Sequence, residues 1–303
     1  IIADNQLPLN AGWDLDKLKL EIDTLTELDF DIELLGFDDD FLDGLLDGQT
    51  DEGLTDEDEV PEAPETPVSV LGDIWQLGNH RLMCGDSTSI DSVERLLDGQ
   101  KADMVFTDPP YGVSIVKGGK VGGDSLAKTG TYAAVAGDES IDVAIEAIQV
   151  IKTLNAKVEI IWGGNYYAGA LENSSCWIVW DKRGEMASNN FADCELAWTN
   201  QKTAVRKFTH VWSGMIKGSE HGQKRVHPTQ KPIALAEWCI DSYGKECETV
   251  LDLFGGSGFT LMGCETKNKN AFIMELSEAY IDVIINRWQN FTGKEAVHIE
   301  SGK

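Results

Sequence analysis

A chain of 303 residues, 42% hydrophobic and 25% charged, is long enough for one large α/β domain and an appendage. Its formal charge of −27 argues against a uniformly anion-binding surface, yet the charge is unevenly spread. Residues 1–67 hold 22 acids against two lysines, about −20, which leaves only about −7 for the rest. No apolar run reaches the length of a membrane span and no secretory signal is visible. The chain begins with Ile1 rather than Met and is expected to be a piece of a longer one.

In chain order, residues 1–48 read as an acidic, interrupted helical segment. Leu15, Leu18 and Ile22 form one apolar stripe behind the potential cap Asp14. Residues 49–67, rich in Asp and Glu with three prolines, bury too little to offset ordering and read as a linker. From residue 68 to 303 the pattern alternates. Val68 to Trp75 and His80 to Cys84 read as strands, Gly85-Asp86 ends the second, and Ile90 to Leu97 reads as a helix.

Lys101 to Phe106 is a further strand, and it runs into Asp108-Pro109-Pro110-Tyr111. Two prolines fix φ and remove two donors, so the ladder stops and the loop stiffens. A carboxylate and an aromatic ring are thereby held at the carboxyl edge of a sheet, where open α/β folds bind ligands. A planar amine can stack on Tyr111 while Asp108 and the Pro109 carbonyl accept its hydrogens. An ordinary Asp-Pro turn with a packed tyrosine accounts for the tetrapeptide equally well.

Val113 to Ala136, rich in Gly and carrying Lys117, Lys120 and Lys128, reads as a long functional loop. Ile141 to Leu154 is a helix and Val158 to Trp162 a strand ending in Gly163-Gly164-Asn165-Tyr166-Tyr167, a candidate wall of the same pocket. Cys176 to Trp180 and Cys194 to Thr199 are two more strands. Residues 182–231 carry nine Lys/Arg against four acids, interleaved with Trp198, Phe208 and Trp212. A basic island acts locally, within a Debye length, so it signals a polyanion better than the overall charge does. A solvated mixed surface is the plainer alternative.

Thr249 to Asp252 then reads as a strand running into Phe254-Gly255-Gly256-Ser257-Gly258, followed by a helix from Phe259 and a strand ending at Glu275. Glycines let a backbone approach a ligand beneath a helix N-terminus, and the acid about 20 residues on stands where a ribose ligand belongs. The six cysteines show no metal or redox spacing and read as reduced, mostly buried thiols.

Asp108-Pro109-Pro110-Tyr111 and Phe254-Gly255-Gly256-Ser257-Gly258, in that order, resemble the permuted β group of S-adenosylmethionine-dependent DNA amino-methyltransferases. His227-Pro228-Thr229-Gln230-Lys231-Pro232 is similar to the segment preceding the Gly-rich motif there. The resemblance covers roughly residues 70–292. It implies a Rossmann-like methyltransferase fold, a mixed seven-stranded sheet with helices on both faces, and target recognition within about 181–226. It also implies S-adenosylmethionine as cofactor, double-stranded DNA as partner, and the N6 amine of a flipped adenine as methyl acceptor.

By the same resemblance Asp108, Pro109, Pro110 and Tyr111 are catalytic. Asp86, His227, Thr229, Gln230, Lys231, Asp252, Phe254, Gly256, Ser257, Gly258 and Glu275 bind the cofactor, with Lys231 near its carboxylate. No metal is called for. A homodimer is compatible with this reading, and the expected location is the cytoplasm of a bacterial or phage-infected cell. Residues 1–48 resemble the tail of a ParB-like domain, or form only a small helical cap. Cytosine N4 is the alternative acceptor, and no Pro-Cys dipeptide serves C5 chemistry. The competing classes are a non-catalytic ParB-like DNA-binding protein and a methylase of RNA or protein amides.

Overall fold

The structure, a computed structural model, describes residues 53–55, 58–113, 116–117, 120–121, 138–184, 192–213, 216–217 and 231–300. The chain divides into two compact units, Ile1–Glu52 and Gly53–Lys303, and every described residue belongs to the second. The expected helical segment 1–48, most of the loop 113–136, and His227, Thr229 and Gln230 lie outside the described residues.

Alternation of side chains builds the central sheet. In β3 (Met104–Thr107) Met104 and Phe106 face one apolar cluster while Val105 faces another, and β6 (Val158–Trp162), β12 (Thr249–Asp252) and β13 (Asn270–Glu275) divide their side chains the same way. Strands buried on both faces read as continuous apolar runs, as expected of parallel strands covered by helices. With β2 (His80–Cys84) these four form a parallel core in the order β2-β13-β12-β3-β6.

Antiparallel pairing extends the sheet at both edges. On one side lie β1 (Ile74–Leu77) and β14 (Val297–Glu300). On the other lie β8 (Cys194–Thr199) and β7 (Trp177–Asp181), with β9 (Arg206–Thr209) parallel to β7 at the edge. The sheet therefore has ten strands rather than the expected seven. β14 and the edge strand β9 are the pieces that the apolar pattern underrates, because both are mostly exposed, and the strand expected over Val68 to Trp75 is found at Ile74–Leu77 instead. Two-stranded ribbons, β4 (Val116–Lys117) with β5 (Lys120–Val121) and β10 (Trp212–Ser213) with β11 (Ile216–Lys217), stand apart from it.

Helices cover both faces. α1 (Ile90–Leu97) and α2 (Asp142–Leu154) pack on the side of Val105 and Phe272. α3 (Ile233–Tyr243), α4 (Phe259–Thr266) and α5 (Glu278–Thr292) pack on the side of Phe106 and Ile273. Ser89 caps α1 by accepting from Ser92 N at 3.3 Å, and Asp98 in the left-handed region ends it.

The stretch expected as a linker touches this unit at two places. Leu54 N donates to Phe291 O at 2.7 Å, and buried Asp58 accepts from Ile233 N, the first amide of α3, at 2.9 Å. Immediately after it, Asp282 of α5 accepts from Val68 N at 2.6 Å and Ser69 Oγ at 2.6 Å. Among the described residues no helix is long and apolar enough to cross a membrane. All six cysteines are free, and five are buried.

Candidate active site

The sheet order reverses direction between β12 and β3: the chain goes from β12 outward to β13, and from β3 outward to β6. In an open α/β sheet such a reversal leaves a crevice beyond the carboxyl ends of the strands. Five of the stretches singled out above sit on this rim. Asp86 follows β2, Asp108 follows β3, Gly163 follows β6, Phe254 follows β12, and Glu275 ends β13.

Thr107 Oγ1 donates to Asp252 Oδ1 at 2.7 Å and so ties β3 to β12 at the crevice. Phe254 N donates to the same oxygen at 3.0 Å, and Thr260 Oγ1 of α4 donates to the other at 2.6 Å. Fully buried Asp252 thus holds two strands and a helix together, with every one of these bonds made to protein. Burial pushes its carboxyl up to about 6 against those three donors.

On the Gly-rich side, Gly256 at φ +54° and Gly258 at φ +86° need the left-handed region. Gly258 caps α4 there, and a Cβ on Gly255 would press into Ile273. The loop folds back on β13: Gly255 N donates to Met274 O at 2.8 Å and Gly256 N to Glu275 Oε2 at 2.8 Å. Ser277 N donates to Glu275 Oε1 at 2.8 Å. Burial pushes the Glu275 carboxyl up to about 7 despite those amides. Asp86 lies beside this acid, since Gly85 N donates to Glu275 O at 3.0 Å. The Asp86 carboxylate is exposed and accepts from Thr88 N at 2.9 Å and Thr88 Oγ1 at 2.7 Å, a turn that leads into α1. Ser257 is buried, and its carbonyl accepts from Arg287 of α5 at 2.8 Å.

On the other side of the crevice, Asp108 is surrounded. Its Oδ1 accepts from the Tyr111 hydroxyl at 2.7 Å and its Oδ2 from Lys231 Nζ at 2.5 Å. Lys231, 4% exposed, also reaches Glu195 Oε2 at 3.1 Å and donates to the Tyr111 hydroxyl at 3.4 Å. Glu195 Oε1 accepts from Lys182 at 2.9 Å. The structure thus places Lys231 on the proposed catalytic acid, and Gln230, Thr229 and His227 beside it in the chain are outside the described residues.

Two acids and two ammonium groups make a cluster of no net formal charge. Burial pushes Asp108 up, Lys231 pulls against that, and Glu195 adds to the rise. For Glu195, burial is outweighed by the Lys231 and Lys182 ammonium groups, which hold its carboxyl at about 2. Burial also opposes the charge of Lys231, yet its two acids hold it at about 12. Burial and the Glu195 charge thus disfavour ionised Asp108, while the two ammonium groups favour ionised Glu195.

The Tyr111 ring stacks on Tyr166 with centroids 4.8 Å apart and an angle of 15°. Gly163, at φ +70°, lies against the other part of that ring, where a Cβ would collide with it. Buried Tyr167 turns its hydroxyl onto Trp162 O. Of the wall expected from Gly163 to Tyr167, Gly163 and Tyr166 line the Tyr111 ring. Glu195, Lys182 and Thr107 were not singled out from the sequence, where Glu195 looks like one polar residue in a strand. Within the basic island Lys182, Arg183, Lys207 and Lys231 each pair with a carboxylate, which leaves fewer cations for a polyanion than composition suggests.

Residues 16–71 match the ParB-methyltransferase HTH domain. Type II methyltransferase M.HpaI of Haemophilus parainfluenzae is 30% identical over 90 residues, 29% of this chain and 29% of that protein. Type II methyltransferase M.ScaI of Streptomyces caespitosus is 26% identical over 152 residues, 43% of this chain and 49% of that protein. The chain spans about half or less of the length of these relatives. Among solved structures, the cytosine-N4-specific PvuII DNA methyltransferase overlaps with a TM-score of 0.44 at 15% identity, covering 76% of this chain and 90% of that one. The DNA methylase family itself matches residues 124–287, more than half of the chain, and the chain belongs to that family.

Proposed function

We propose that the protein transfers a methyl group from S-adenosylmethionine to an exocyclic amine of a base in DNA, with adenine N6 as the acceptor. The observation that carries this reading is the placement of Asp108-Pro109-Pro110-Tyr111 across the β3/β12 reversal from the Gly-rich turn and Glu275. The order of the two motifs supports the permuted β group.

The cofactor fits the Gly-rich side. Gly256 and Gly258 take a backbone shape that L side chains rarely adopt, and Glu275 offers a carboxylate at the strand end suited to two ribose hydroxyls. Asp86 stands next to it as an acceptor for an amino group. The bound sulfonium supplies an electrophilic methyl. The residues of this chain do the rest by position and charge.

A target base must leave the duplex to reach Asp108. Tyr111 stacks on it, which requires Tyr166 to yield its place on the ring. Asp108 and the Pro109 carbonyl accept from the amine and stabilise the positive charge that develops on nitrogen during direct displacement. Adenine is preferred over cytosine because the family's cytosine enzymes more often begin this motif with Ser. The test is transfer of labelled methyl from S-adenosylmethionine to unmethylated DNA, RNA and protein side by side, followed by sequencing that separates N6-methyladenine from N4-methylcytosine. Methyl on DNA adenine is the expected result. Label on RNA or protein alone, or none, would overturn it.

A further inference from the structure

The residue with the least obvious reason to be where it is, once Asp108 and Lys231 are assigned, is Glu195. It lies on β8, and its two oxygens are divided between Lys182 at 2.9 Å and Lys231 at 3.1 Å. Its side chain is 22% exposed, so it is an anion largely withdrawn from water and held by two cations.

Consider the acceptor that a base amine needs. Both oxygens of Asp108 are already engaged, one by Tyr111 and one by Lys231. A permanent ammonium at 2.5 Å from Asp108 would also repel the positive charge that develops on the amine. If Asp108 and Lys231 stood alone with Lys182, the cluster would carry a net +1 where the reaction needs an anion. Glu195 cancels that charge. It also gives Lys231 a second partner already within reach.

Resting on the methyl-transfer reading, we infer that Glu195 is a positioning residue: it takes over the Lys231 ammonium when the target amine takes Asp108, and it keeps the field at that amine from turning positive. Lys231 then acts as a plug on the acceptor in the resting protein, released sideways rather than into water. Lys182, 18% exposed, moderates how strongly Glu195 pulls. The other groups near Asp108 are the Tyr111 phenol, which donates to it and favours its charge, and the Tyr167 phenol and Asp252, whose own ionisation the Asp108 charge disfavours.

The test uses the full chain and two variants of opposite sign. Carboxyl NMR, with Asp108 assigned through Asp108→Asn, follows the Asp108 titration in the unliganded protein. Glu195→Gln removes a like charge, so Asp108 should titrate at lower pH than in the wild type. Lys182→Gln removes the second cation on Glu195, so Glu195 draws Lys231 more strongly away from Asp108, which should titrate at higher pH. On DNA, the acidic limb of the kcat profile should move in the same two directions. In Glu195→Gln the plateau should fall roughly tenfold or more, because Lys231 is left with Asp108 alone. S-adenosylhomocysteine affinity should be unchanged in both variants, and Glu195→Asp should recover much of kcat.

A structural role alone would lower stability without moving Asp108 in opposite directions. The inference is overturned if the titration is unmoved in both variants, or moves the same way in both. Lys182→Gln decides the matter even if Glu195→Gln does not fold. Should the wild type transfer no methyl to DNA, the proposed function fails by that result, while the titration still decides whether Glu195 governs Asp108.

Discussion

Single residues divide the crevice into a chemical side and a holding side, and substitutions should separate them. Asp108→Ala should retain S-adenosylhomocysteine binding and lose at least about a hundredfold in methyl transfer, the cost of one preorganised acceptor. Turnover within a few-fold of wild type would remove Asp108 from the mechanism. Gly163→Ala has a quieter but equally specific effect. At φ +70° the new side chain is strained, and its Cβ would enter the Tyr111 ring. Turnover should fall through the displaced ring, with cofactor affinity preserved, and calorimetric titration beside a rate assay checks the split. Lys231→Ala leaves Asp108 without a cation beside Glu195, which keeps only Lys182, and should cost about 3–5 kcal/mol of stability in a denaturant titration. The acid and the ring were legible from the two prolines that stiffen them. Glu195 was not, because its significance comes from β8 lying against β6 and from where Lys231 ends, both products of tertiary pairing.

At the scale of elements, β12 and β13 present two acids whose charge the fold disfavours. Asp252 is pushed up to about 6 and Glu275 to about 7, each by burial first. A carboxyl raised in the fold contributes its full stability below its unfolded value, 3.8 or 4.5, and loses it as pH rises through 6 and 7. Glu195 and Glu265, each held at about 2, contribute in the opposite sense: their share is present above 4.5 and lost as pH falls toward 2. The unliganded protein should therefore have its highest Tm near about pH 4.5 and decline from there toward neutral pH, and Asp252→Asn should flatten that decline. Binding at Glu275 should show the same chemistry. Ribose hydroxyls donating to it favour the anion, so S-adenosylhomocysteine should release protons at pH 7. Calorimetry in buffers of different ionisation enthalpy measures that release, which should vanish in Glu275→Gln together with roughly 1.5–3 kcal/mol of affinity. Heats independent of buffer in the wild type would place the ligand elsewhere. The strand-turn-helix-strand order around these acids was readable from apolar runs and glycines. The edge strand β9 and the closing strand β14 were not, since an exposed or polar strand is defined by its partner rather than by its own pattern.

For the whole molecule the question is what the acidic N-terminal stretch does, and where a truncation leaves the second unit intact. The compact unit begins at Gly53, before the boundary expected at residue 68. Two truncations should consequently behave differently. Removing residues 1–52 takes away 16 acids and two lysines, none of them in the second unit, and should leave the Tm of that unit nearly unchanged. Removing residues 1–67 also deletes Leu54, bonded to Phe291, and Asp58, whose carboxylate caps α3 at Ile233 two residues beyond Lys231. An amide left without its cap at a buried helix start should cost about 0.5–2 kcal/mol, and the loosened α3 should lower methyl transfer as well. Asp58→Asn, which retains an acceptor, should cost less than Asp58→Ala. The charge argument runs beside the stability argument. A stretch this acidic cannot itself favour a polyanion, so at about 0.15 M salt the loss of residues 1–52 should change DNA affinity little. If that stretch instead shields the basic island, affinity should rise several-fold, most at low salt where screening is weak. A large loss of DNA binding by a truncated protein that remains folded would contradict both, and would assign the segment matched by the HTH domain to the recognition surface.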